Sequence, residues 1–132
     1  MQSKFLILTT DLKKLWLFYS ALGIRWLCGE SEIKDMSSLE TKAPMGLPDL
    51  NGEIGGVEFF FCLEPNIKTG PINDTILLLY FDSESAVAAT LTRIKEAGLF
   101  VPHQDFNAEY LFRILDPDGR IIQLVGPSPF RW

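Results

Sequence analysis

One histidine and two cysteines are all that the 132 residues offer of the side chains that bind zinc most often. Cys28 and Cys62 are too few and too far apart for a zinc motif. A catalytic thiol wants an imidazole beside it, and His103 is the sole candidate. Both cysteines lie inside apolar runs and read as small buried hydrophobes, with no disulfide expected in a reducing compartment. Basic residues are also sparse: 12 Lys and Arg stand against 17 Asp and Glu, a net charge of −5. Counterion release needs clustered basic side chains, so no nucleic-acid partner is expected. The acidic balance permits a cationic ligand, and it serves solubility equally well. No apolar run approaches the roughly 20 residues that cross a bilayer. The stretch Met1 to Leu8 turns polar too soon for a signal peptide, so a cytoplasmic protein without a membrane partner is expected.

Hydrophobic residues make up 47% and charged residues 22%, the balance of a chain that buries a core. Phe5 to Thr9 reads as a strand. Thr10 or Asp11 caps a helix to about Leu22, where Leu12, Leu15, Trp16, Tyr19 and Leu22 form one stripe and Gly23 stops it. Ile24 to Cys28 is a second strand. Residues 29 to 55 are hard to decipher. Ser37 to Lys42 is a candidate strand, and Pro44, Gly46, Pro48, Asn51 and Gly52 mark irregular chain, either a flap over a site or a surface connection. Gly56 to Leu63 is strongly apolar and extended.

The same order then returns. Thr75 to Phe81 reads as a strand, and Asp82 or Ser83 caps a helix through Glu96 with Val87, Leu91 and Ile94 on its stripe. Gly98 ends that helix, and Leu99 to Val101 is short and extended. Ala108 to Leu115 and Arg120 to Val125 form a hairpin. Its turn is Asp116-Pro117-Asp118-Gly119, with Pro117 presetting φ and Gly119 closing a type I turn with a bulge. Ile121, Gln123 and Val125 then share one face, Ile122 and Leu124 the other, so Gln123 is a single polar residue on an apolar surface. A strand, a helix and three strands thus occur twice. The expectation is a single α+β domain over 1–132, with modules at approximately 1–65 and 72–126, a linker at 66–71 and an aromatic tail at 127–132. Two such sheets side by side form a curved mixed sheet around a cleft.

Asp11-Leu12, then Phe18-Tyr19-Ser20-Ala21-Leu22-Gly23, and later Asp116-Pro117-Asp118-Gly119-Arg120-Ile121-Ile122-Gln123-Leu124, resemble the vicinal oxygen chelate superfamily. That group contains glyoxalase I, bleomycin-resistance proteins and extradiol dioxygenases. The resemblance covers most of the chain and is weakest over residues 29 to 55. It implies paired βαβββ modules around a cleft. It also implies, for metal-dependent members, a His on each first strand and a Glu on each last strand. Those positions fall on Lys4, about seven residues before the capping Asp, and on Thr75 in the second module. They fall also on Gln123, four residues past the turn glycine, and on Phe60 or a close neighbour. Slipping the first-module register by one pleat brings in Glu58 or Cys62. An ammonium, a hydroxyl, a phenyl ring and a neutral amide make a poor set for a divalent ion, so no metal and no other cofactor is expected.

Alternation places Lys4, Leu6 and Leu8 on the cleft face, with Thr75, Leu77 and Leu79 and with Ile121, Gln123 and Val125. A mostly apolar face with a few polar points is the make-up of a small-molecule pocket. The ligand-binding residues expected are Lys4, Leu6, Phe60, Thr75, Leu77 and Gln123. The expected function is metal-free binding of an apolar or aromatic molecule, as in bleomycin-resistance proteins. The alternative is a glyoxalase-like lyase, isomerase or dioxygenase with a non-standard or metal-free site, for which His103, Glu58 or a tyrosine would supply the base. His103 reads as a solvated loop residue. Trp26, Phe59, Phe61, Tyr80 and Tyr110 read mainly as core. Arg113 and Arg120 flank the hairpin, where either can meet an anion or a surface carboxylate. A homodimer is expected from the exposed apolar strands and tail.

Overall fold

Asp11 starts the first helix because its carboxylate accepts the Lys14 backbone N–H at 3.1 Å, satisfying a donor that the helix leaves orphaned. In the computed structural model, which describes residues 1, 3–28, 31–35, 50–66, 72–103 and 111–127, that helix is α1 (Leu12–Leu22). It ends where Ile24 N–H reaches back to the Tyr19 carbonyl at 3.0 Å. The stripe of Leu12, Leu15, Trp16, Tyr19 and Leu22 is buried, and Phe18 and Ala21 widen it. Around α1 lies a five-stranded sheet of β1 (Phe5–Thr9), β2 (Arg25–Cys28), β3 (Ser31–Ile33), β4 (Leu50–Ile54) and β5 (Val57–Leu63), in the order β1-β5-β4-β2-β3. β1 pairs parallel with β5, and the other pairings are antiparallel.

Phe59 and Phe61 face the helix. Tyr19 of α1 meets Phe61 at 5.1 Å between ring centroids, Trp26 meets it at 5.4 Å, and Trp16 stacks on Trp26 at 4.7 Å and 13°. The Trp26 indole N–H is satisfied by the Ser20 hydroxyl at 2.8 Å. This aromatic cluster is the core of the first half.

β3 and β4 fall in the stretch that the sequence left undeciphered, and the candidate strand Ser37 to Lys42 lies outside the described residues. Asn51 and Gly52, expected to mark irregular chain, sit inside β4. Gly52 is there because a Cβ would come within 2.6 Å of Ile24 Cδ1, just before the neighbouring strand β2. The reversal comes later, at Gly55 and Gly56. Both have positive φ (58° and 82°), and Ile54 pairs with Val57 across them, as in a two-residue hairpin.

The second half repeats the plan. β6 (Ile72–Tyr80) leads to α2 (Glu84–Glu96), and β7 (Leu111–Leu115) and β8 (Arg120–Val125) follow. Of the two candidate caps for α2, Ser83 serves, its hydroxyl accepting the Ala86 N–H at 3.1 Å. Val87, Leu91 and Ile94 are buried. The sheet order is β6-β8-β7, with β6 parallel to β8. The segment expected to be short and extended is tied to β7: Pro102 bridges Ile114, Leu115 N–H donates to the Val101 carbonyl at 2.9 Å, and His103 N–H donates to the Arg113 carbonyl at 2.9 Å.

The β7–β8 turn is built from its own side chains. Gly119 (φ 87°) closes an i→i+3 bond to Asp116 at 3.0 Å. Asp116 Oδ1 accepts the Asp118 and Arg120 backbone N–H groups, each at 2.9 Å, while Arg120 Nη1 reaches Asp116 Oδ2 at 3.0 Å and Asp118 Oδ2 at 3.4 Å. Both carboxylates are buried, and Arg120 spends its charge on them. The chain divides into two compact units, Met1–Lys68 and Thr69–Trp132.

Candidate functional site

In the first unit α1 packs on the sheet face of Phe59 and Phe61, and the expected binding positions fall on the other face. In the first unit the register Leu6↔Phe60 and Leu8↔Cys62 puts Lys4, Leu6, Leu8, Phe60 and Cys62 on the face away from α1. Leu6 is 60% exposed and Cys62 is half-buried, not buried as expected. Lys4 Nζ donates to Asn51 Oδ1 at 3.1 Å. Beside it runs a row of charges. Glu58 of β5 is paired with Glu53 of β4, and Glu53 with Arg25 of β2 at 3.5 Å. Two carboxylates directly opposite each other repel, and the exposed Arg25 offsets that only modestly. A cavity of ≈ 760 Å³ opens at this end of the sheet, with Lys4, Phe5, Glu53, Val57 and Glu58 in its lining. Glu53 and the cavity were not singled out from the sequence. They depend on β4, whose strand character its Asn51-Gly52 pair disguised.

The second unit corrects two positions. The register Leu77↔Ile122, Leu78↔Gln123 and Leu79↔Leu124 puts Leu78 beside Gln123. Leu77 and Leu79 therefore share the face of Ile122 and Leu124, not that of Gln123. Thr75 falls in a register irregularity between Ile72 and Ile76, because three residues separate those two while their partners, Arg120 and Ile121, are adjacent. Counting back from Ser83 as from Asp11 makes Ile76 the counterpart of Lys4, where Asp82 as the cap had pointed to Thr75. Leu78 and Tyr80, 45% and 57% exposed, are the apolar surface next to Gln123.

On its other side Gln123 is paired with Arg113. Arg113 Nε donates to Gln123 Oε1 at 2.7 Å, a short charge-assisted bond. The bridge at Pro102 and Ile114 brings His103 opposite Arg113 on the same face. His103, read as a loop residue, is thus half-buried in a row Leu78–Gln123–Arg113–His103 across the sheet. Gln104, Asp105 and Tyr110 lie outside the described residues.

The metal positions can now be tested on their donors. Lys4 is an ammonium bonded to Asn51, Phe60 and Ile76 have no donor atom, and the one oxygen of Gln123 already accepts from a guanidinium. This set does not fit a divalent cation. Among the described residues no group of three His, Cys, Asp or Glu side chains converges elsewhere as a metal site.

No family model and no curated protein matches the sequence. Solved structures do match in fold. A hypothetical protein from S. aureus superposes with a TM-score of 0.69 at 19% identity, over 96% of this chain and 94% of that one. The fosfomycin resistance protein FosX from Mesorhizobium loti gives 0.66 at 11% identity, over 98% and 93%. A glyoxylase/bleomycin resistance protein/dioxygenase domain from Frankia sp. gives 0.63 at 16% identity, over 99% and 94%. The chain has the fold of the vicinal oxygen chelate superfamily, as the resemblance carried by Asp11-Leu12, Phe18 to Gly23 and Asp116 to Leu124 implied. Among the described residues no helix is long and apolar enough to cross a membrane.

Proposed function

We propose that this chain is a metal-free small-molecule-binding protein of the glyoxalase and bleomycin-resistance type, holding an apolar or aromatic ligand on the sheet faces that carry Lys4, Leu6, Phe60 and Gln123. One observation carries the reading: the single amide oxygen at the last-strand ligand position, on Gln123, is held by Arg113 Nε at 2.7 Å. A carboxylate at that position would serve a cation, whereas this arrangement serves hydrogen bonding. Exposed Leu6, Leu78 and Tyr80 supply apolar contact area around a few polar points, the composition of a small-molecule site. Of the residues expected to bind, Lys4, Leu6, Phe60 and Gln123 remain in the proposal. Leu78 and Ile76 take the places of Leu77 and Thr75. A thermal-shift screen of aromatic and cationic compounds with EDTA present tests it. Stabilisation at saturating ligand is expected, and no stabilisation by any compound would sink the idea.

A second reading, a glyoxalase-like enzyme with a non-standard site, is favoured by half-buried Glu58 in the cavity that Lys4 also lines. A carboxylate in such a cavity is a usable base. Elemental analysis of protein purified without chelators tests the metal-dependent form of this reading: stoichiometric Zn, Ni, Fe or Mn would favour the enzyme.

A further inference from the structure

Asn51-Gly52 is the one Asn-Gly pair in the chain. Asparagine is a thermolabile residue, and a following glycine makes it most so, because no Cβ shields the glycine nitrogen. The reaction is internal. The Gly52 backbone nitrogen attacks Asn51 Cγ. An N–Cγ bond forms, the Cγ–Nδ2 bond breaks, and ammonia leaves with the proton that the Gly52 nitrogen gives up. Water then opens the cyclic imide at one of its two carbonyls, leaving aspartate or isoaspartate. Substitution at Gly52 would slow this step, but Ile24 Cδ1 stands 2.6 Å from where a Cβ would lie. The packing that requires glycine thus leaves Asn51 with its most reactive neighbour.

β4 withholds what the reaction needs. It lies between β5 and β2, with Gly52 paired to Phe59 on one side and to Trp26 on the other. In antiparallel ladders the N–H of such a residue is bonded to one neighbour or the other. An extended strand also holds the Asn51 side chain out from its face, not over the next nitrogen. Lys4 Nζ, 3.1 Å from Asn51 Oδ1, draws the amide across β5. From this we infer that Asn51 is a deamidation site gated by β4: inert while the strand sits between β2 and β5, reactive when it opens. The inference does not depend on the binding reading, yet its products fall on the face that carries Lys4. Aspartate at 51 gives Lys4 a charged partner in place of a neutral amide. Isoaspartate lengthens the main chain by one carbon and puts β4 out of step with both neighbouring strands.

The test incubates the full chain in native buffer and in guanidinium chloride above its unfolding midpoint, and follows Asn51 by peptide mapping with mass spectrometry. Asn51 is expected to convert to aspartate and isoaspartate in the unfolded chain. In the native chain the conversion is expected to be slower by roughly tenfold or more, as the small population of the open strand dictates. Phe61 pairs with Leu50 of β4, so Phe61→Ala is expected to speed conversion in native buffer. Phe61→Leu gives the same comparison should Phe61→Ala fail to fold. Asn51→Asp, which adds the charge without the extra carbon, is expected to melt close to the parent chain, and the isoaspartate fraction well below it. Equal rates in the native and unfolded chain would overturn the gating, as would a less stable Phe61 variant that converts no faster. An Asn51 that survives in the unfolded chain while the other asparagines convert would overturn the site itself. An isoaspartate fraction that melts with the parent chain would overturn the consequence for β4.

Discussion

Asp116 shows how much one residue can hold. Its side chain accepts two backbone N–H groups of the turn and a guanidinium hydrogen bond while fully buried. Asp116→Ala removes the acceptor of those N–H groups and one of the carboxylates that hold Arg120, and a loss of about 3–5 kcal/mol is expected in urea unfolding, the scale for breaking a buried pair. Gly52 is set by a neighbour's bulk. Gly52→Ala drives a methyl into Ile24 Cδ1 and should cost about 1–2 kcal/mol as overpacking. Ile24→Val removes that atom, so the double variant should lose less than the sum of the singles; strict additivity would show that the two do not touch. Gln123→Glu is expected to pair with Arg113 and keep stability while conferring no metal affinity, because Lys4, Phe60 and Ile76 still supply no ligand. Calorimetric titration with Mn²⁺ or Zn²⁺ checks this. The sequence identified Gln123 as the informative residue because alternation within one strand sufficed for that. It could not identify Arg113 or His103 as its neighbours, since cross-strand partners depend on register. The same dependence misplaced Leu77, for the irregularity before Ile76 shifts the pairing.

At the scale of elements, the two helices and the final hairpin were legible because their signals are local. Asp11 and Ser83 each bond a backbone N–H three residues on, and Asp116 to Gly119 contains its own turn bonds. β3 and β4 were not legible. β3 spans three residues, and β4 carries Asn51-Gly52, a pair that elsewhere turns the chain. Only the long-range contact with Ile24 explains the glycine. The aromatic packing of the first unit depends on several elements at once: Trp16 and Tyr19 from α1, Trp26 from β2, Phe61 from β5. Phe61→Ala opens a cavity among all of them and should cost about 3–5 kcal/mol by chemical denaturation, whereas Phe61→Leu should cost much less.

For the whole molecule, the fold narrows function less than the site does, since one fold serves binding proteins and enzymes alike. Exposed Phe5, Leu6, Leu78 and Tyr80 lie on β1 and β6, each an edge strand of its sheet. Exposed apolar side chains invite association, and a homodimer is proposed on that ground. Sedimentation velocity should give twice the chain mass at micromolar concentration, and a strictly monomeric species would count against it. The central claim is that binding depends on the chain's own polar side chains and not on a metal. Its most direct test is the affinity, measured by calorimetry before and after exhaustive treatment with EDTA, for the aromatic compound that stabilises the chain most in the thermal-shift screen. The account predicts the same affinity in both, and its loss on chelation would contradict it.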